Sequence, residues 1–436
     1  MAESTPFNAL LMNWKRYYSL HVKQNEHLIL PLFHVVCSVP LRDCGLFFMG
    51  RRNNIKVNLG VFQTSGTGKG MALKSGFFMA KAVSERFNFR DRPRYTTNDT
   101  EATAVGTVYK NQPVNGYLSH TNYYAWDEGE VLIRPGQYNT QLRKYLNLAL
   151  DGESWVRKGV GGQNIEYHSP SVLTFATYIS DALTADIFVE GFFQRFLLSY
   201  KKITTSQFQK MIDEVIKDES NLITNAESED LKHDFCDICG QFVFKKTHLA
   251  LTKDARELAS DSLNTMFNEK IIDYFSGQKK EDLQSFYARF PELCYKIATQ
   301  HAILSCNNEI TPNDIKYALV LVEDHLSSST SLLNISAKEI KRKEKSYSQA
   351  VISLLEKKPI ISQSDLIDEL KILKNKGQWD LGRNSTLKLL DQFEDDEIIY
   401  SVKPSQRING LSRNIKLYTL REVSEDELLR KFGKAK

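Results

Sequence analysis

The sequence predicts an α/β fold: a parallel sheet layered with helices, followed by a helical domain and a small separate unit. Three observations carry this reading. From Ile55 onward β-rich runs alternate with helical periodicity over about 150 residues, the pattern of a parallel sheet. Beyond about residue Tyr200 the texture changes to amphipathic helical patterns with few strand signals. From Gln349 a third texture begins, with helix signals that give way to two short β-rich segments.

The bulk numbers fit that division. A chain of 436 residues has room for two or three domains, because one hydrophobic core seldom grows past about 250–300 residues. Hydrophobic content of 42% with 25% charged residues is an ordinary globular mixture. The net charge of +4 is too small to imply nucleic acid by itself, so the placement of charge has to decide. Six scattered cysteines form no disulfide-like framework, which suits a reducing compartment. The first residues lack a signal-peptide pattern, and no uncharged apolar stretch of about 18 residues occurs. The expectation is a cytoplasmic protein without a membrane span.

Residues 1–49 combine helical periodicity (Phe7, Leu10, Leu11, Trp14, Tyr17, Tyr18) with an apolar run, Leu28 to Cys37, and read as a buried support segment. Residues 50–200 hold the α/β core. Its first strand is IKVNLGVF (Ile55–Phe62), followed by a glycine-rich turn and a helix from about residue Met71 to Phe87. A second strand runs through Asn122–Leu132 and contains Asp127 and Glu128; a third, Ser171–Ile179, carries Thr174 and Thr177. Residues 201–326 read as a helical lid, its last helix opening at Thr311 with Pro312 in the first turn. A Ser-rich patch and a basic run make 327–347 a linker. Residues 348–422 give three helix signals and then EIIYSV and IKLYTL around an Asn409-Gly410 turn, the order of a winged helix. Residues 423–436 are left as a tail.

The chemistry concentrates in the turn Gln63–Gly70. Ser65, Gly66, Thr67, Gly68, Lys69 and Gly70 form a small-residue loop between a strand and a helix, where backbone N–H groups can surround phosphate oxygens. Lys69 then reaches the β- and γ-phosphates. Gln63 stands where the usual pattern has its first glycine, and Gly70 where it has a hydroxyl residue. Without that hydroxyl a magnesium ion leans on water and on Asp127. Glu128, the next carboxylate, is suited to orient or deprotonate an attacking water.

The sequence of loop, DE strand, Thr-bearing strand, the arginine of GFFQRFLL (Gly191–Leu198) and a helical domain resembles AAA+ ATPases, which are P-loop NTPases. Within them it looks most like the minichromosome-maintenance-type helicases and related plasmid and phage replication ATPases. The resemblance spans roughly residues 50–325. It implies that Lys69 is the Walker A lysine, Asp127 and Glu128 the Walker B pair, and Thr177 the sensor-1 residue. It also implies that Arg195 is an arginine finger for a neighbouring subunit's site, and that Arg289 is a sensor-2 arginine acting within its own subunit. The segment Glu153–Ser169 takes the place of a hairpin that grips nucleic acid, through Arg157 and Lys158.

Two further groups of residues carry readings of their own. His233, Cys236, Cys239 and His248 have partial zinc-ligand spacing, with a structural zinc and an ordinary helical segment as the alternatives. Between Ile398 and Arg421 there are basic residues and no acid, including Lys403, Arg407 and Arg413, and Arg383 opens the candidate recognition helix. DNA contact and protein docking both fit such a unit.

The expected function is therefore an ATP- and Mg²⁺-dependent DNA translocase or helicase, assembled as a hexameric ring and acting on single- or double-stranded DNA in replication of a mobile element. The alternatives are an ATP-switched initiator or helicase loader with slow hydrolysis, and a small-molecule phosphotransferase. The lack of room for a large N-terminal DNA-binding collar weighs against independent loading.

Overall fold

The computed structural model describes residues 5–432, less 23–24, 49, 65, 98, 100, 110–111, 134–136, 152–154, 159–163, 168–171, 178–190, 205, 210–212, 214–224, 269–286, 376–378, 380 and 405–414. Two compact units emerge, Met1–Ser336 and Ala337–Lys436.

A five-stranded sheet, parallel throughout, organises the first unit. In chain order its strands are β1 (Asn58–Phe62), β2 (Arg94–Thr96), β3 (Tyr123–Trp126), β4 (Val172–Thr177) and β5 (Phe196–Tyr200). In space they run β5-β1-β4-β3-β2. Every residue of β1, β3 and β4 is buried, as expected for strands covered on both faces. Sequence reading had anticipated these three. It did not predict β2 and β5, which are the two outer strands.

Helix α1 (Pro6–His21) starts where Thr5 caps the chain and Pro6 occupies the first turn. Helix α2 (Ile29–Cys37) is apolar nearly all round and buried on every side. The described part of residues 1–49 therefore belongs to the main core, as a support layer. Helix α3 (Lys69–Arg86) leaves the loop after β1 and packs against α2 and β3. Helix α5 (Asn225–Cys239) follows α4 (Gln137–Asp151) in chain order and packs against α1 and α3, and the predicted lid falls within the first unit rather than forming one of its own.

The segment 327–347 is helical. It lies within one helix, Pro312–Lys357, and the boundary between the two units falls inside it. The serines that read as linker have a structural task. Strand β5 is an edge strand, and its free N–H groups need acceptors. Leu198 N–H donates to His325 Nδ1 at 2.8 Å and Tyr200 N–H to Ser328 Oγ at 3.0 Å. Burial pushes the His325 pKa down to about 3 and leaves the imidazole neutral.

The second unit has its own core, built on Leu355, Leu366, Leu370, Trp379, Leu390, Phe393 and Tyr418. Helices Gln363–Asn375 and Arg383–Asp395 pack with a three-stranded antiparallel sheet of Ile361–Ser362, Leu417–Thr419 and Tyr400–Val402. The tail is helical from Glu425 to Phe432. Among the described residues, no helix is long and apolar enough to cross a membrane.

Candidate phosphate-binding site

The loop leaves the C-terminal end of β1, the edge of a parallel sheet where ligands of open α/β folds bind. Gly66 and Gly68 have φ of +79° and +76°, a left-handed backbone that favours glycine and turns the chain sharply into α3. Lys69 is the first residue of that helix. Its ammonium is half-buried; burial lowers its pKa, while Asp127 and Glu128 act to raise it. Ser65 lies outside the described residues.

Gln63, the first departure from the expected pattern, proves structural. Its side chain is fully buried and donates to Asn25 Oδ1 at 3.0 Å and to His27 Nε2 at 2.9 Å. The Thr67 hydroxyl lies 3.1 Å from Gln63 Oε1 and donates to the Thr64 carbonyl at 2.8 Å, while Asn25 Nδ2 donates to the Thr67 carbonyl at 2.8 Å. The N-terminal segment thus clamps the loop from behind. Glycine at position 63 would forfeit this bracket.

Gly70, the second departure, is explained by a close approach. A Cβ on this residue would sit 2.6 Å from Asp127 Oδ2. Asp127 lies just past β3 and is pinned there: its Oδ2 accepts from the Tyr95 hydroxyl at 2.6 Å and its Oδ1 from the Glu128 N–H at 3.1 Å. The carboxylate therefore stands over the first turn of α3, in the space a serine or threonine side chain would claim. Tyr95 was not among the residues singled out from sequence; it lies on β2, a strand too short to announce itself.

Glu128 is exposed, with φ of +58°. A non-glycine residue in that region carries about 1–3 kcal/mol of strain, held here by the surrounding bonds. The Gly129 N–H donates to the Ala176 carbonyl at 2.8 Å, tying this turn to β4. Thr177 ends β4, which lies between β1 and β3, and its carbonyl accepts the Gln63 N–H at 3.1 Å. Lys69, Asp127, Glu128 and Thr177 therefore share one edge of the sheet.

The two arginines are elsewhere. Arg195 precedes β5, and Phe196 pairs with Asn58, the first residue of β1. At about 3.3 Å per residue the five steps from Asn58 to Gln63 span about 16 Å, so Arg195 stands at the opposite edge from its own loop. It donates to both oxygens of Asp151, at 2.7 and 2.6 Å, and to the Gly191 carbonyl. Arg289 precedes helix α7 (Phe290–Leu304, after α6, Lys253–Met266) and donates to Glu292 at 2.6 Å. Burial lowers its pKa, but Glu292 and the nearby charge of Asp151 more than offset this. The expectation of a cis contact to the loop gains no support: Arg289 is drawn to the neighbourhood of Arg195.

A cavity of ≈ 190 Å³ lies along β5, lined among others by His27, Pro31, Tyr200, Lys201, Asp324 and Ser328. Two antiparallel ribbons sit next to each other, Gly106–Tyr109 with Gln112–Asn115 and Trp155–Lys158 with Asn164–Tyr167. The second contains Arg157 and Lys158, whose side chains lie outside the described residues. The first was not anticipated.

In the C-terminal unit Arg383 and Lys403 are exposed, and Arg407 and Arg413 lie outside the described residues. Part of the basic character is already spent. Lys416 pairs with Glu394 at 2.7 Å and Asp391 at 3.1 Å, and Arg421 pairs with Glu427. Thr386 is buried and receives the Trp379 N–H at 3.2 Å, so it does not belong to an exposed recognition face.

The Cys236 and Cys239 thiols are buried in α5; burial pushes Cys236 up to about 12 and Cys239 well above its usual value, against the thiolate that zinc needs. His233 and His248 are exposed, and no cluster of three or more ligating side chains occurs among the described residues. Comparison with protein-family models and with curated proteins finds no match for the chain.

Proposed function

We propose that residues 1–336 are an ATP-hydrolysing motor of the AAA+ type, similar to the minichromosome-maintenance-type helicases, working on DNA as a ring of identical subunits. The observation that carries the reading is the meeting of Lys69, Asp127, Glu128 and Thr177 at one edge of a parallel sheet, around a glycine turn into a helix. The Lys69 ammonium and the N–H groups of the turn bind the phosphates. Asp127 would hold Mg²⁺, which keeps most of its waters and needs only one or two carboxylates beside the substrate phosphates. The donor set fits that ion, since Asp127 faces the start of α3 with no competing hydroxyl at position 70. When bound, the ion neutralises charge on the phosphates. Glu128 takes the proton of the attacking water, and Thr177 orients that water or the γ-phosphate.

Arg195 stands at the opposite edge of the sheet from its own loop, which supports the reading that it serves a neighbour's site in a ring. The ribbon Trp155–Tyr167 and the C-terminal unit, read as a winged helix, supply the DNA contacts through Arg157, Lys158, Arg383 and Lys403, with Arg407 and Arg413 between its last strands. The bidentate Arg195–Asp151 pair favours a second reading, an ATP-switched initiator or loader in which the arginine must first be released. An ATPase and strand-displacement assay with single-stranded and duplex DNA, read beside the mass of the assembly, separates them. DNA-stimulated turnover with displacement supports the motor; slow turnover with tight duplex binding supports the switch. No Lys69-dependent hydrolysis under any condition defeats both.

A further inference from the structure

The chain on either side of the ribbon Trp155–Tyr167 is bonded to Arg195. Trp155 pairs with Tyr167 at the base of the ribbon. In the chain the ribbon lies between Asp151, the last residue of α4, and Val172, the first residue of β4. Asp151 holds the Arg195 guanidinium through both carboxylate oxygens, at 2.7 and 2.6 Å. Beyond the ribbon, the Leu173 N–H donates to Asn58 Oδ1 at 3.0 Å, and Asn58 Nδ2 donates to the Arg195 carbonyl at 3.1 Å. The side chain of this arginine is therefore held from before the ribbon, and its backbone from after it.

The carboxylate sits in a place that is unfavourable without its partner. At the C-terminal end of a helix it faces the negative end of the dipole, and the last turn of α4 has no basic residue to offset it. Arg195 supplies that compensation. Gly191 completes the holder: its carbonyl accepts from the guanidinium, and a Cβ there would lie 3.2 Å from Arg195 Nη1. Held in this way the Arg195 side chain is only 17% exposed, and its charge is neutralised by its own subunit. A phosphate in a neighbouring subunit meets an arginine already engaged. Arg289 also feels the Asp151 charge, so the carboxylate keeps a cation nearby when Arg195 leaves.

We propose that Asp151 is a latch on Arg195. Without nucleic acid it keeps the guanidinium against its own subunit; nucleic acid gripped by the ribbon shifts Asp151 and releases the arginine to the neighbour's phosphates. Asp151 touches no nucleotide and acts as a positioning residue, coupling the ribbon to hydrolysis by a shift between a held and a free arginine. The proposal rests on the reading of the ribbon as a DNA contact and of Arg195 as an arginine that acts across subunits.

The test measures Mg²⁺-dependent ATP hydrolysis by the full chain and by Asp151→Asn, with and without a single-stranded oligodeoxythymidine. In the variant, hydrolysis without DNA should rise about five-fold, the worth of a partly exposed ion pair, and the stimulation by DNA should fall by a similar factor. In an Arg195→Ala chain the same substitution should change neither value, which a merely structural role for Asp151 does not predict. An Asp151→Asn chain that is stimulated as strongly as the parent overturns the proposal, as does one that loses hydrolysis equally with and without DNA. If Asp151→Asn does not fold, amide hydrogen exchange of the parent decides: the oligonucleotide should speed exchange over residues 191–196, and unchanged exchange there overturns the latch. A parent with no Lys69-dependent hydrolysis defeats the reading of the loop instead, and the exchange measurement, which needs no turnover, still tests the latch.

Discussion

Replacing Gly70 by serine restores the hydroxyl that phosphate loops of this kind usually carry, yet the structure predicts a weaker enzyme. The new Cβ would lie 2.6 Å from Asp127 Oδ2, too close for any carbon–oxygen contact. Asp127 can swing away only by giving up its bond from Tyr95, at 2.6 Å, and straining the one from the Glu128 N–H, at 3.1 Å. A hydrogen bond to a charged group is worth about 1.5–3 kcal/mol. Serine recovers about 0.5 kcal/mol relative to glycine in a helix. The net loss is about 1–2.5 kcal/mol, and at about 1.4 kcal/mol per decade it corresponds to a fall of about 5- to 60-fold in the step that needs Asp127 in place. The assay is steady-state Mg²⁺-dependent ATP hydrolysis by Gly70→Ser beside Gly70→Ala, which has the same Cβ and no hydroxyl. Both should fall together. If Gly70→Ser hydrolyses ATP as fast as the parent while Gly70→Ala does not, the hydroxyl is a usable ligand and the steric account is refuted.

Three other outcomes follow from the same geometry. Tyr95→Phe leaves Asp127 Oδ2 without its donor and should raise the Mg²⁺ concentration needed for half-maximal hydrolysis, with tripolyphosphate binding unchanged; an unaltered Mg²⁺ profile removes Tyr95 from the site. Arg195→Ala subunits mixed with Glu128→Gln subunits should recover part of the hydrolysis that each lacks alone, and no recovery at any ratio argues against action across subunits. Burial pushes the Glu292 pKa up, but Lys296 and Arg289 outweigh it and bring it from 4.5 to about 2. A carboxylate depressed on folding stabilises the protein above its unfolded pKa and loses that contribution as pH falls from about 4.5 towards 2. Denaturation followed across this window should show a shallower acid limb in Glu292→Gln; identical limbs would exclude the pairing.

Much of the candidate site was legible in the sequence because its parts are local. A strand, a glycine turn and a helix in register identify Lys69, and paired acids at the end of an apolar strand identify Asp127 and Glu128. The reasons for Gln63 and Gly70 were not legible, since both lie in partners distant along the chain: Asn25 and His27 for the first, Asp127 and Tyr95 for the second. Strand β2 is three residues long and amphipathic patterning needs more, while FLLSY reads equally well as helix or strand. The serines near Ser328 look like a linker because polarity is visible in sequence and an unsatisfied strand edge is not. Arg289 was assigned by order along the chain, and its ion pair with Glu292, three residues on, shows why order alone does not fix where a side chain reaches.

The central claim is that the loop beginning at Gln63 binds and hydrolyses ATP through Lys69. Its most direct test is Mg²⁺-dependent ATP hydrolysis by the full chain and by Lys69→Ala, with folding of the variant checked by circular dichroism. The account predicts turnover in the parent and its loss in a folded Lys69→Ala. Turnover that survives the substitution, or a parent that never hydrolyses ATP, contradicts it.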